Sequence, residues 1–186
     1  MFGDPLPPPI PASRLPRSIC TFDIETAKTN MRKPEGCEIA CAGVLLYRRF
    51  RSSWRQVGYQ WFGAAQLSDL ATFLHQFPGL IIGHNIFNFD YRVLRPHVPL
   101  TGIIEKTVDL FLALQNISRS RDARLTLNSL ARINLRRRQL GKSRSMPRLW
   151  RAGQHRRVLA HNKRDCEVSI PRQSRGLYAR WPLKGA

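Results

Sequence analysis

Four carboxylates stand in three short stretches spread over most of the chain: Asp23 and Glu25 in T-F-D-I-E-T (21–26), Asp90 closing G-H-N-I-F-N-F-D (83–90), and Asp165 in L-A-H-N-K-R-D-C (159–166). Cys20 to Glu25 is a β-prone run. Side chains two apart on a strand share a face, so Asp23 and Glu25 point one way while Phe22 and Ile24 point the other. Two anions a few ångströms apart repel by roughly 1 kcal/mol in water and by about 4 kcal/mol at an effective dielectric near 20. Four converging carboxylates therefore need cations. Hard divalent ions with oxygen ligands, Mg²⁺ or Mn²⁺, suit such a set, and two ions about 3.5 to 4 Å apart can clamp the attacking and leaving oxygens of a phosphodiester.

The third stretch says most about placement. Val158, His161, Asp165 and Val168 fall at i, i+3, i+7 and i+10, one face of a helix. A carboxylate on an inward face is costly unless it is paired or binds metal, so Asp165 is either a metal ligand or the partner of one of the many arginines. His161, one turn earlier, can take a proton from the attacking water or serve as a packed structural histidine. In the second stretch a buried strand, Gly79 to His84, runs into a helix starting near Phe87. Asp90 falls in that helix's first turns, where the dipole also favours an anion for purely electrostatic reasons. Asn85 either orients substrate or caps the helix, and His84 is expected to hydrogen-bond locally.

The order and surroundings of these acids resemble the DEDD superfamily of ribonuclease H-like 3′→5′ exonucleases, and within it the YprB-like predicted exonucleases, over residues 19–170. N-x-x-x-F-D from Asn85 to Asp90 is similar to the second motif of that family. The resemblance implies a two-metal-ion phosphodiesterase acting on DNA or RNA. Asp23, Glu25, Asp90 and Asp165 would hold two Mg²⁺ or Mn²⁺ ions, Asp23 bridging both, with His161 as the catalytic base and a helicase or repair protein as a candidate partner. The third motif departs from the pattern. The superfamily carries Tyr four residues before its last Asp or His five before it, whereas His161 has the histidine identity at the tyrosine spacing. YprB-like members end in a Y-N-x-x-D-V pattern where this chain has H-N-K-R-D-C, and Pro171 should stop the last helix sooner than in relatives. These departures leave an alternative from another class, a catalytically impaired ribonuclease H-like nucleic-acid-binding domain.

Charge points to the same partner. The chain carries 31 basic and 12 acidic residues, a formal net charge of +19. Between Arg119 and Ala186 stand 19 basic and 3 acidic residues, so the excess is concentrated in the C-terminal third, where a polyanion should bind. Arg136, Arg137, Arg138 and Lys142, followed by Arg144, Arg148 and Arg151, are the candidate phosphate contacts; codon bias of a GC-rich genome is a second source of arginine enrichment. No apolar run is long enough to span a membrane. Cys20, Cys37, Cys41 and Cys166 form no zinc-type spacing and read as reduced core thiols of a cytoplasmic protein. No phosphate loop or dinucleotide fingerprint is present.

Residues 1–18 hold six of the thirteen prolines and read as a polyproline-like tail rather than a signal peptide. Residues 19–170 form the expected domain and 171–186 a basic tail. The elements that must position the acids are a strand over Ile19–Glu25, a strand over Glu38–Tyr47, and a third in which Val57, Tyr59 and Trp61 alternate, short-linked to the second as a hairpin. Leu70, Phe73, Leu74 and Phe77 predict a helix capped by Ser68 and stopped at Pro78-Gly79. After the Gly79–His84 strand and the Asp90 helix come a short strand near Gly102–Val108 and helices at Asp109–Ile117, capped by Asp109, and Thr126–Leu135. This order predicts an α/β fold, a ribonuclease H-like mixed sheet of about five strands, the first three antiparallel, flanked by helices.

Overall fold

The computed structural model describes residues 16–51, 53–117, 126–127 and 143–169. Most of the Pro-rich tail, the greater part of the helix expected over Thr126–Leu135, the basic residues Arg136, Arg137, Arg138 and Lys142, and Pro171 with the C-terminal tail lie outside the described residues.

Five strands form one sheet: β1 (Ser18–Lys28), β2 (Glu38–Phe50), β3 (Ser53–Gly63), β4 (Leu80–Gly83) and β5 (Thr107–Asp109), in the spatial order β3-β2-β1-β4-β5. β1, β2 and β3 are antiparallel neighbours, while β4 lies parallel to β1 and β5 parallel to β4. This is the mixed α/β sheet expected from the sequence. The helices are α1 (Leu67–Gln76), α2 (Asp90–Leu94), α3 (Leu110–Ile117), α4 (Met146–Arg151) and α5 (His155–Val168). Among the described residues no helix is long and apolar enough to cross a membrane.

β1 is central and buries both faces with different material. Cys20, Phe22 and Ile24 join Val44, Leu70, Leu74, Tyr91 and Leu94 in the larger apolar cluster, the side covered by α1 and α2. Ile19 faces the other way, with Leu45, Ile82, Leu110 and Cys166, beneath α3 and α5. All four cysteines are buried and unbridged.

Three local expectations are corrected. Ser68 is not the cap of α1: a 3₁₀ turn over Ala64–Gln66 starts the helical path earlier, the Gly63 N–H donates to Gln66 Oε1 at 3.1 Å, and Ser68 falls inside the helix. β5 is shorter than expected because Ile104–Lys106 winds into a 3₁₀ turn first. α2 begins at Asp90 rather than near Phe87, since residues 85–89 form a turn around the Asn85 carbonyl, which accepts the N–H of Asn88 and Phe89.

Candidate active site

The acids meet where β1 outruns its neighbour. Pairing with β4 reaches only Thr21 opposite Ile82, so beyond that point the β4 side of β1 has backbone groups without a strand partner. Asp90, the first residue of α2, fills this gap: its Oδ1 accepts the Ile24 N–H at 2.8 Å. One residue to either side, Asp23 and Glu25 project from the opposite face of the strand from Phe22 and Ile24. The β1/β2 register slips just after Glu25, and a bulge of this kind re-aims side chains at the end of a strand.

The final helix, α5, supplies the fourth acid. Val158, His161, Asp165 and Val168 are all buried, as the helical stripe predicts. Asp165 is 5% exposed. Asn162, beside the stripe, is fully buried and ties the helix to the strand: its Nδ2 donates to both the Asp23 carbonyl and Asp23 Oδ2 at 2.9 Å. The Tyr59 hydroxyl in turn donates to Asn162 Oδ1 at 2.9 Å. Gly43, directly opposite Asp23 on β2, makes room for this clamp, because a Cβ there would lie 1.6 Å from Asn162 Oδ1. Asn162, Tyr59 and Gly43 are absent from the sequence-based site. The Asn in H-N-K-R-D was the available signal; Tyr59 lies 103 residues away in sequence and gave none.

His161 is 1% exposed. Its Nε2 lies 3.4 Å from Asp165 Oδ2, 3.7 Å from Glu25 Oε1 and 3.4 Å from Ser143 Oγ. Glu25, His161 and Asp165 each offer one ligand atom, all within 4.8 Å of one another. Carboxylate oxygens with an imidazole nitrogen fit a divalent cation.

The electrostatics fit one as well. Removal from water raises the pKa of Asp23 well above the carboxylate range, and repulsion from Asp90, Glu25 and Asp165 adds to it, opposed by the Asn162 hydrogen bond. Glu25 is raised by burial and then by Asp165 and Asp90. Burial pushes Asp90 up to about 8, against the lowering effect of the Ile24 N–H. Such mutual destabilisation of neighbouring anions is what a bound cation relieves.

Asp23, Glu25, Asp90 and Asp165 all line one open cavity of about 930 Å³. Arg144 and Arg151, at the start and end of the segment containing α4, line it too, as do Phe89 and Phe111. His161 is not among the residues lining it. His84 and Asn85 are. His84 packs edge-on against Phe111. Asn85 adopts φ 59°, a left-handed conformation that Asn tolerates, and its Oδ1 accepts the Asn88 side-chain amide at 3.0 Å. Asp109 has a different role: it accepts the N–H groups of Asn85, Phe87 and Phe111 and so fastens the β4–α2 turn to the start of α3. That includes the capping expected of it.

No family model matches the chain, and no curated protein matches it in sequence. Among solved structures it is similar to exonuclease I at 13% identity and a TM-score of 0.41, over 58% of this chain and 31% of the other. It is similar to E. coli exonuclease I in complex with a 5cy-dT13 oligonucleotide at 12% identity and a TM-score of 0.45, over 77% of this chain and 42% of the other. It is also similar to the zinc-bound form of an E. coli exonuclease I–ssDNA complex at 14% identity and a TM-score of 0.40, over 82% and 39%. The chain thus spans less than half the length of the proteins it matches.

Proposed function

We propose that the chain is a metal-dependent nuclease, a 3′→5′ exonuclease hydrolysing phosphodiester bonds of DNA or RNA by a two-metal-ion mechanism. One observation carries the reading: Asp23, Glu25, Asp90 and Asp165, from three separate stretches of chain, line one cavity together with Arg144 and Arg151. A purely structural role does not explain why burial and neighbouring carboxylates raise the pKa of Asp23, Glu25 and Asp90 in a chain so rich in arginine. A pure nucleic-acid binder gains only repulsion from carboxylates next to phosphate.

Two divalent ions, held by the four carboxylates, would supply charge neutralisation at the phosphoryl group and an acidified water. The chain's own residues do the rest. Arg144 and Arg151 bind the phosphate flanking the scissile bond, as paired guanidinium groups do. Phe89 and Phe111 offer apolar surface for the terminal sugar and base. Asn162, steadied by Tyr59, fixes the carboxylate of Asp23 so that its free oxygen faces the cavity in one orientation. Arg136, Arg137, Arg138 and Lys142 add positive charge for contacts with further phosphates of the strand, and Asn85 lines the cavity.

The rival reading, a ribonuclease H-like nucleic-acid-binding domain without chemistry, is favoured by the burial of His161 behind the acids. One experiment separates the two. Single- and double-stranded DNA and RNA, labelled at the 5′ end, are incubated with the protein in Mg²⁺, Mn²⁺ or EDTA. A ladder shortening from the unlabelled 3′ end, abolished by EDTA, is expected. Retarded but intact substrate in all three conditions would leave only the binder, and immediate release of the labelled nucleotide would reverse the polarity.

A further inference from the structure

We propose that His161 is a direct metal ligand, not the general base, and that with Glu25 and Asp165 it makes one ion position selective for a nitrogen-accepting divalent cation such as Mn²⁺ over Mg²⁺; this rests on the nuclease reading and narrows its metal. A general base works within hydrogen-bond reach of the group it deprotonates, about 2.6 to 3.2 Å between heavy atoms or through one water. Glu25 and Asp165 line the cavity, whereas His161, 1% exposed, sits behind them. The imidazole Nε2 therefore faces the two carboxylates and the Ser143 hydroxyl, the groups that line the cavity in front of it.

Its spacing agrees. Residues four apart on a helix stack on one face, the arrangement by which a helix presents two ligands to one ion. His161 and Asp165 have that spacing on α5, with Nε2 3.4 Å from Asp165 Oδ2 and 3.7 Å from Glu25 Oε1. Ligand atoms bonded at about 2.0 to 2.2 Å to a common ion lie roughly 3 to 3.5 Å apart. The observed separations need only small carboxylate rotations to meet that. An all-oxygen set suits Mg²⁺, while an imidazole nitrogen favours later divalent ions in the order of their affinity for nitrogen, with Mn²⁺ ahead of Mg²⁺. The histidine at the tyrosine spacing, the departure noted in the third motif, is then a change of metal preference rather than a displaced base.

The test uses the full chain, Mn²⁺ as the probe, and pulsed electron paramagnetic resonance to detect nitrogen bonded to the ion. In wild type, modulation from a histidine nitrogen is expected, changing from the ¹⁴N to the ¹⁵N pattern when histidine is isotopically labelled. His161→Gln should abolish it and weaken Mn²⁺ binding by about 100-fold, while His84→Ala should keep it. His161→Asp, which restores an all-oxygen set, should still bind metal but shift its preference toward Mg²⁺. Thermal melting of each variant confirms that the fold is retained. Mn²⁺ bound in wild type without histidine nitrogen, or with nitrogen that persists in His161→Gln, would overturn the ligand assignment and leave the nuclease reading standing. Failure of wild type to bind either ion would overturn both.

Discussion

On one side of β1, Cys20, Phe22 and Ile24 pack among Leu70, Leu74 and Tyr91; on the other, Ile19 and Thr21 give way to Asp23 and Glu25 beneath α5. The two faces are built by alternate residues of one stretch of backbone. The α1/α2 side is apolar to the end of the strand, and its burial holds the sheet together. The α5 side is apolar around Ile19 and Leu45 and again where Cys41 meets Met146 and Val158, and between these it holds a cluster of acids that oppose one another. Stability of the first face is what allows strain on the second. Asp90 joins the two, since it belongs to the helix that covers the apolar side yet binds the Ile24 amide at the acidic end.

That contrast is broken most sharply by paired substitutions. Phe22→Ala should cost about 3 to 5 kcal/mol in urea unfolding, as large-to-small changes in packed cores do. Glu25→Gln, one face away, should leave metal-free stability equal or higher, because it removes one of the repelling charges. A similar loss from both would mean that the acidic face is an ordinary part of the core.

The clamp on Asp23 sharpens the comparison at intermediate scale. Asn162→Ala should lower turnover by roughly 10- to 100-fold, the usual range for residues that orient a metal ligand. Tyr59→Phe, which removes the hydroxyl that donates to Asn162 Oδ1 at 2.9 Å and lies 3.4 Å from the Leu159 carbonyl, should cost about 1 kcal/mol or less in stability and a smaller part of the rate. Gly43→Ala should resemble Asn162→Ala, since the added methyl takes the space of the Asn162 amide.

Proton and metal should compete for the acidic face. The pKa of Asp90 is pushed up to about 8, so folding favours its protonated form. In metal-free protein this contribution is fully present below about pH 4, the ordinary carboxylate range, and is lost as pH rises through 8. Asp23 and Glu25, also raised, act in the same direction. Melting temperature in EDTA should therefore fall between about pH 4 and pH 8, the window that Asp90 sets. The increase in melting temperature caused by Mn²⁺ should grow over the same interval. An increase that is constant with pH would mean that the ion displaces no protons from these acids. The smallest effect belongs outside the site: Lys28 and Glu38 lie 3.7 Å apart with most of both side chains in water, and Lys28→Ala should change stability by no more than about 0.5 kcal/mol.

How much of this was readable from sequence follows the range of each signal. The alternation of β1 and the stripe on α5 are local, and each places its acids on the correct face without knowledge of the fold. The hairpin of β2 and β3 and the parallel β4 and β5 follow from short links and intervening helices. α4 escaped because six residues, with Pro147 among them, are too few to show a period. Ser68 misled because the capping pattern is local while the true start of α1 depends on the preceding 3₁₀ turn. The Tyr59–Asn162–Asp23 chain and the Asp90–Ile24 bond join residues far apart in sequence, which no window of periodicity can see. His161 was legible as an inward residue, but what it faces required the structure.

The central claim is that the acids on the α5 side of β1 perform metal-dependent phosphodiester hydrolysis. It is tested most directly by the initial rate of nucleotide release from a single-stranded substrate in Mn²⁺, for wild type and Asp23→Asn side by side. The account predicts release by wild type and a loss of at least about 1,000-fold in the variant, the scale of removing a group that stabilises transition-state charge, with nucleic-acid binding retained. Equal rates in the two proteins would contradict it.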